Sequence, residues 1–199
     1  MTLRLRTFGP PVLLLAGLLL LPAPATAQSA GIQGGITFSQ FDIQTPNIGD
    51  PIPSTKNLTG GSFGAFWVLS DGLFAGQLEA LYSRRGSKTA AGTSVKIDYL
   101  EFPIGTRITL SESQDGNFYL MAGAQFGFAV KRSQTSTEVF EVIDDDVDTF
   151  DTGLFVGAGF EAQRANVNVR YYFGYRDVSD RPIELYNRGF QVMFGIKLN

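Results

Sequence analysis

The side chains with chemical potential in this sequence are Glu79, Glu101, Glu161, Arg107, Arg170 and Lys197, and each is set between apolar or small neighbours. Gln125 has the same setting, between Ala124 and Phe126. Two carboxylates such as Glu79 and Glu101 can divide general acid and general base work between them. Acids that share a face with Arg107 and Arg170 can equally form a structural ion-pair network, and the balance of three acids and three bases favours that reading. Ester hydrolysis of the serine type needs an imidazole beside the hydroxyl, and the sequence has no His. The run Asp144-Asp-Asp-Val-Asp148 offers carboxylate oxygens to Ca²⁺ but lacks the spaced acids and closing Glu of an EF-hand, so it reads as a solvated loop. Gly34-Gly35 and Gly157-Ala-Gly159 sit inside alternating stretches with no helix after them, which excludes a phosphate-cradling loop. No catalytic residue, cofactor site or metal site is predicted.

The elements that position these side chains are strands. Asn166 to Arg176 puts Val167, Val169, Tyr171, Phe173 and Tyr175 on one face, against Asn166, Asn168, Arg170, Gly174 and Arg176 on the other. That period of two over about ten residues is long enough to cross a bilayer with lipid on one side and a polar lumen on the other. The pattern recurs. Strand one, Gly31 to Gln40, sets Ile32, Ile36 and Phe38 against Gln33, Thr37 and Ser39. Further strands are predicted at Gly61–Ser70, Leu73–Arg84, Val95–Leu110, Asn117–Lys131, Phe150–Gln163 and, in strand eight, from Gly189 to Leu198. Pro103 cannot donate to a ladder, which predicts a bulge or irregular pairing there.

The connections alternate between long (42–60, 85–94, 132–149 and 177–187) and short (70–72, 111–116 and 163–165). This asymmetry, with both ends of the chain on the short-turn side, predicts an all-β, eight-stranded antiparallel up-and-down transmembrane β-barrel of the bacterial outer membrane. Twenty-three glycines, 13% aromatics and no Cys fit that class. Residues 1–27 read as a signal peptide: Arg4 and Arg6, an apolar run from Val12 to Leu21, then Ala25-Thr-Ala27. Residues 28–199 are the expected barrel domain. A formal charge of −3 and the lack of any basic run argue against nucleic acid as a partner.

An eight-stranded barrel is narrow enough for its side chains to fill it. The minority faces, with Glu79, Glu101, Arg107, Gln125, Glu161, Arg170 and Lys197, are therefore expected to plug the lumen as a charge-paired network, with glycines making room. Trp67, Tyr82, Tyr171 and Tyr175 are expected at the membrane interfaces.

Gly31-Ile-Gln-Gly-Gly-Ile-Thr-Phe-Ser39, Glu79-Ala-Leu-Tyr-Ser-Arg-Arg-Gly86, Ile97-Asp-Tyr-Leu-Glu-Phe-Pro-Ile-Gly105, Phe118-Tyr-Leu-Met-Ala-Gly-Ala-Gln-Phe-Gly127 and Gly157-Ala-Gly-Phe160 resemble, in order, the recurring segments of the porin-family outer-membrane β-barrel domain of Bacteroidetes-type bacteria. The resemblance implies the fold and little about activity. Outer-membrane barrels often end in an aromatic residue, and this chain ends Ile196-Lys-Leu-Asn199. The expected function is non-enzymatic: a structural or interaction role through surface loops. The expected partners are outer-membrane lipid, the barrel-assembly machinery and an extracellular molecule meeting loops 42–60 and 132–149. Two alternatives stand beside it, a narrow pore for small solutes and a soluble, lipocalin-like ligand-binding barrel with its apolar faces turned inward.

Overall fold

In the computed structural model the described residues are 29–44, 55–70, 72–89, 94–113, 115–135, 149–175 and 184–198. The predicted signal peptide and the acidic run 144–148 lie outside them. Eight strands follow in chain order: β1 (Ser29–Gln44), β2 (Thr55–Val68), β3 (Phe74–Thr89), β4 (Ser94–Ser113), β5 (Gly116–Thr135), β6 (Phe150–Ala162), β7 (Ala165–Gly174) and β8 (Glu184–Lys197). Each pairs antiparallel with its neighbours, and β1 pairs with β8, Gly34 opposite Phe194 and Phe38 opposite Phe190, so the sheet closes into a barrel. Closure leaves no unpaired sheet edge, the condition for a sheet to stand in hydrocarbon.

The alternation seen in the sequence becomes inside and outside. Ile36, Phe63, Val156 and Phe194 point outward and are 48–64% exposed, while Glu79, Glu101, Gln125 and Arg170 point inward and are buried. So much outward apolar surface would drive association in water and is at home in lipid. This contradicts the soluble, lipocalin-like alternative, which requires the opposite assignment of faces. Outward aromatics gather towards both ends. Phe63 meets Tyr82 at 5.4 Å and Phe128 meets Phe150 at 5.1 Å towards the long-connection end. Phe118 and Phe160, 4.7 Å apart, mark the short-turn end, as does Trp67 opposite Ala30 near the start of β1.

The strands outrun their apolar stretches at the long-connection end. Residues 42–44 and 55–60 of the predicted first loop, 85–89 of the second, 132–135 of the third and 184–187 of the fourth are all strand. At the other end, 111–113 and Gly116 join the ladder; at the long-connection end β7 is the exception and stops at Gly174. β4 and β5 are 20 residues each, about twice what a tilted membrane strand needs. Backbone pairing with a neighbour sustains these extensions, so no amphipathic signal marks them.

Pro103 leaves a gap without a bulge. Neither Phe102 nor Pro103 has a partner on β3, yet Leu78↔Ile104 and Leu81↔Glu101 on either side keep one register. The bulges lie elsewhere, between Asn57 and Ser62 of β2, at Val130 of β5 opposite Asp98 and Tyr99, and at Leu110 of β4 between Thr109 and Ser111. Where β2 leaves the ladder, β1 reaches past it to β3. Thr37 Oγ1 donates to the Arg84 carbonyl (2.7 Å), and Ser39 Oγ both donates to the Gly86 carbonyl (3.0 Å) and accepts from the Gly86 N–H (2.8 Å). These hydroxyls satisfy backbone groups that the bulge leaves unpaired. Gly86 has φ of 150°, and any Cβ there would meet the Val95 carbonyl.

Candidate functional site in the barrel lumen

The lumen is layered. At the short-turn end Glu161 on β6 accepts from Arg107 Nη2 on β4 (3.1 Å) and from Lys197 Nζ on β8 (2.5 Å), and the Arg107 guanidinium lies 3.7 Å over the Tyr119 ring centroid. In the middle, Glu79 on β3 accepts three hydrogen bonds, from Arg170 Nη1 to Oε2 (3.0 Å), Gln33 Nε2 to Oε2 (2.6 Å) and Gln77 Nε2 to Oε1 (2.5 Å), and Arg170 Nη2 lies 3.0 Å from its Oε1. Arg170 also donates Nε and Nη2 to Asn168 Oδ1. Higher up, Arg85 Nε on β3 meets Glu101 Oε1 on β4 at 2.8 Å, and its guanidinium stacks 4.1 Å over the Tyr172 ring. Asp151 accepts there from Asn187 Nδ2 (3.2 Å) and from Tyr172. Above this layer the buried Phe41, Ile97 and Tyr99 pack together with Val95 and Ala129.

Glycines give these side chains their space. A Cβ on Gly159 would lie 2.3 Å from the Tyr119 ring, one on Gly153 would lie 2.7 Å from Tyr172, and one on Gly157 would lie 2.9 Å from Arg170 Cβ. Real Cβ atoms do not approach that closely, so each small residue on one strand accommodates a large one on the next.

Taken together, four carboxylates (Glu79, Glu101, Asp151, Glu161) and four cations (Arg85, Arg107, Arg170, Lys197) occupy the lumen among the described residues. Buried charge is tolerated only when paired and hydrogen-bonded. Some polar atoms lack partners among the described residues: both amide atoms of Gln191, and Oε1 of Gln125. A cavity of about 10 Å³ beside Gln191, lined by Thr37, Ser39, Arg85 and Tyr172, has room for about one water.

The comparisons with known proteins follow the same geometry. The family model described as outer membrane protein beta-barrel domain matches residues 26–180. The chain belongs to that family. The match stops short of β8, the strand that closes this family member's barrel onto β1. No curated protein matches it by sequence. Among solved structures it is similar to the outer membrane protein OprG of Pseudomonas aeruginosa, with 13% identity over 87% of this chain and 97% of that one and a TM-score of 0.54. It is also similar to Ail, the attachment invasion locus protein of Yersinia pestis, in complex with the heparin analogue sucrose octasulfate (13% identity, 85% and 98%, TM-score 0.44). A third is Neisserial surface protein A (7% identity, 84% and 96%, TM-score 0.47). The protein is thus an outer-membrane β-barrel of the bacterial envelope.

All seven residues singled out in the sequence lie inside this outer-membrane barrel. Glu79 meets Arg170, and Glu161 bridges Arg107 and Lys197. Gln125 is buried on β5, and Glu101 pairs with none of the other six. Its partner, Arg85, falls in the predicted connection 85–94 and lies instead on β3. Asp151, Tyr172, Asn187 and Gln33 complete the polar layers and were not in the predicted network. Arg85 and Asp151 continue the inward parity of Ser83 and of Gly153, so extending each alternation by one pleat finds them. Gly86 and Ser87 hid the first by resembling a turn. The carboxylates Glu79 and Glu101 are each held by an arginine, an arrangement suited to structure rather than proton transfer.

Proposed function

We propose that this outer-membrane barrel is non-enzymatic, that its lumen is plugged by the network of Glu79, Glu101, Arg107, Gln125, Glu161, Arg170 and Lys197, and that the closed barrel serves as a rigid scaffold for surface loops that meet an extracellular partner. The observation that carries this reading is the pairing of lumen charges in three layers beneath the apolar cluster of Phe41, Ile97 and Tyr99. A carboxylate ion-paired across a narrow lumen, as Glu79, Glu101 and Glu161 are, offers neither a water path nor a free acid or base. The connections after β1 and β5, within 42–60 and 132–149, are the contact surface, since loops on a rigid scaffold commonly carry recognition. Assembly into the membrane requires the barrel-assembly machinery.

Single-channel recording of the refolded full chain in planar bilayers tests the plug. A flat current at low and high voltage is the expected record; reproducible conductance steps would replace this reading with the narrow pore. Shortening each of the two loops in turn should abolish surface binding to the extracellular partner while the barrel still shows heat-modifiable migration on a gel.

A further inference from the structure

The outer rim of β2 to β5 carries a concentration of outward positive charge. Asp98 on β4 is paired in register with Arg84 on β3 and with Lys131 on β5, and it is held by Arg84 Nε at 2.6 Å and by the Tyr82 hydroxyl at 2.8 Å. Two residues before it, Lys96 shares its outward face, and Lys88 on β3 lies directly opposite Lys56 on β2. Lys56, Lys88 and Lys131 are exposed and Lys96 is half-buried; among the described residues none of the four lysines has a carboxylate at ion-pair distance. Among the described residues the patch therefore holds five cations, counting Arg84, against the acid Asp98.

Like charges placed opposite each other destabilise a sheet, as at Lys56 and Lys88, unless an anion lies between them. The other flank of the same rim is balanced, with Arg188 meeting Asp42 at 2.7 Å. Position identifies the anion. On β4 the outward apolar run is Leu100 to Leu110, about the height of a membrane's hydrocarbon layer, and Asp98 and Lys96 come next on the long-connection side. Tyr82 and Phe63 mark the interface immediately below. Side chains at that height meet lipid headgroups, and basic ones there select anionic headgroups.

The geometry points to a binding site for the phosphate groups of outer-leaflet lipid, formed by Lys56, Arg84, Lys88, Lys96 and Lys131. The site rests on the membrane placement of the barrel and is independent of whether the lumen conducts. It ties one flank of the barrel to the outer leaflet and leaves the other free.

The test uses the full mature chain refolded into phosphatidylcholine nanodiscs, with or without bisphosphorylated lipid A, then released and weighed by native mass spectrometry. The wild type should retain lipid A, and K56Q/K88Q/K96Q/K131Q should retain it at least roughly tenfold less. The milder pair K88Q/K131Q should fall between them, and K56R/K88R/K96R/K131R should match the wild type. R164Q, in the exposed turn at the opposite end, should change nothing. Heat-modifiable migration reports folding of each variant separately, so a failed barrel is distinguishable from a failed site. Equal retention by the wild type and the fourfold glutamine variant would overturn the proposal. So would equal retention of dephosphorylated lipid A, or displacement by millimolar inorganic phosphate, which would show a site for free anion instead of lipid.

Discussion

Arg170 and Glu79 are the most enclosed pair in the lumen, with side-chain exposures of 0% and 1%. Replacing Arg170 by Met would leave the Glu79 carboxylate buried with only the Gln33 and Gln77 amides for partners. The expected cost is about 3–5 kcal/mol in urea unfolding from lipid vesicles, and Glu79→Gln in the same chain should restore most of it, because the uncompensated charge is then gone. Arg188 and Asp42 make an ion pair of similar length, 2.7 Å, yet their side chains are 41% and 37% exposed. Arg188→Gln should change stability by less than about 1 kcal/mol in the same assay. Burial, not distance, separates the two outcomes. Glu101 shows the limit of reading residues singly: its parity placed it in the lumen, while its partner Arg85 lies on another strand in a stretch with a loop's composition.

At the scale of the strand, the inward glycines carry as much of the design as the charges. Gly159 leaves the space that the Tyr119 ring fills, and that ring carries the Arg107 guanidinium. Gly159→Val should displace Tyr119, loosen the Arg107–Glu161 contact and cost about 1–3 kcal/mol, read as a lower temperature for loss of the heat-modifiable band. Gly34, whose added Cβ would meet nothing closer than 3.6 Å, is the control. Gly34→Ala should leave that temperature unchanged. Alternation marked the middle of every strand in the sequence because side-chain direction is a local property of the backbone. It did not mark the ends: Arg85–Thr89 and Arg132–Thr135 are strand because β4 and β5 run on beside them, and hydrogen bonds to a neighbour leave no trace in one segment's hydropathy.

Considered whole, the molecule is apolar outside and charged inside, and a substitution is judged by which medium it faces. Val156 is 49% exposed near the middle of β6. On a water-facing surface Val→Arg would be close to neutral. On this barrel Val156→Arg should cost about 2–4 kcal/mol when unfolding is measured from vesicles, since the guanidinium is brought to mid-bilayer. The folded chain should also run at a different apparent mass from the boiled one on a gel, because closure makes unfolding a single cooperative event.

The sequence by itself determined the class of fold, the number of strands and, in the middle of each strand, the face each residue presents, since a period of two is written along each strand independently of every other. It also placed the seven polar residues in the lumen. Only the tertiary structure decided who meets whom: Glu101 with Arg85, Glu161 shared by Arg107 and Lys197, Glu79 enclosed by Arg170, Gln33 and Gln77, and Lys56 set opposite Lys88. These pairings follow from the stagger of one strand against the next and from contacts across the closed lumen. Both are relations between segments far apart in the chain, and no local pattern contains them.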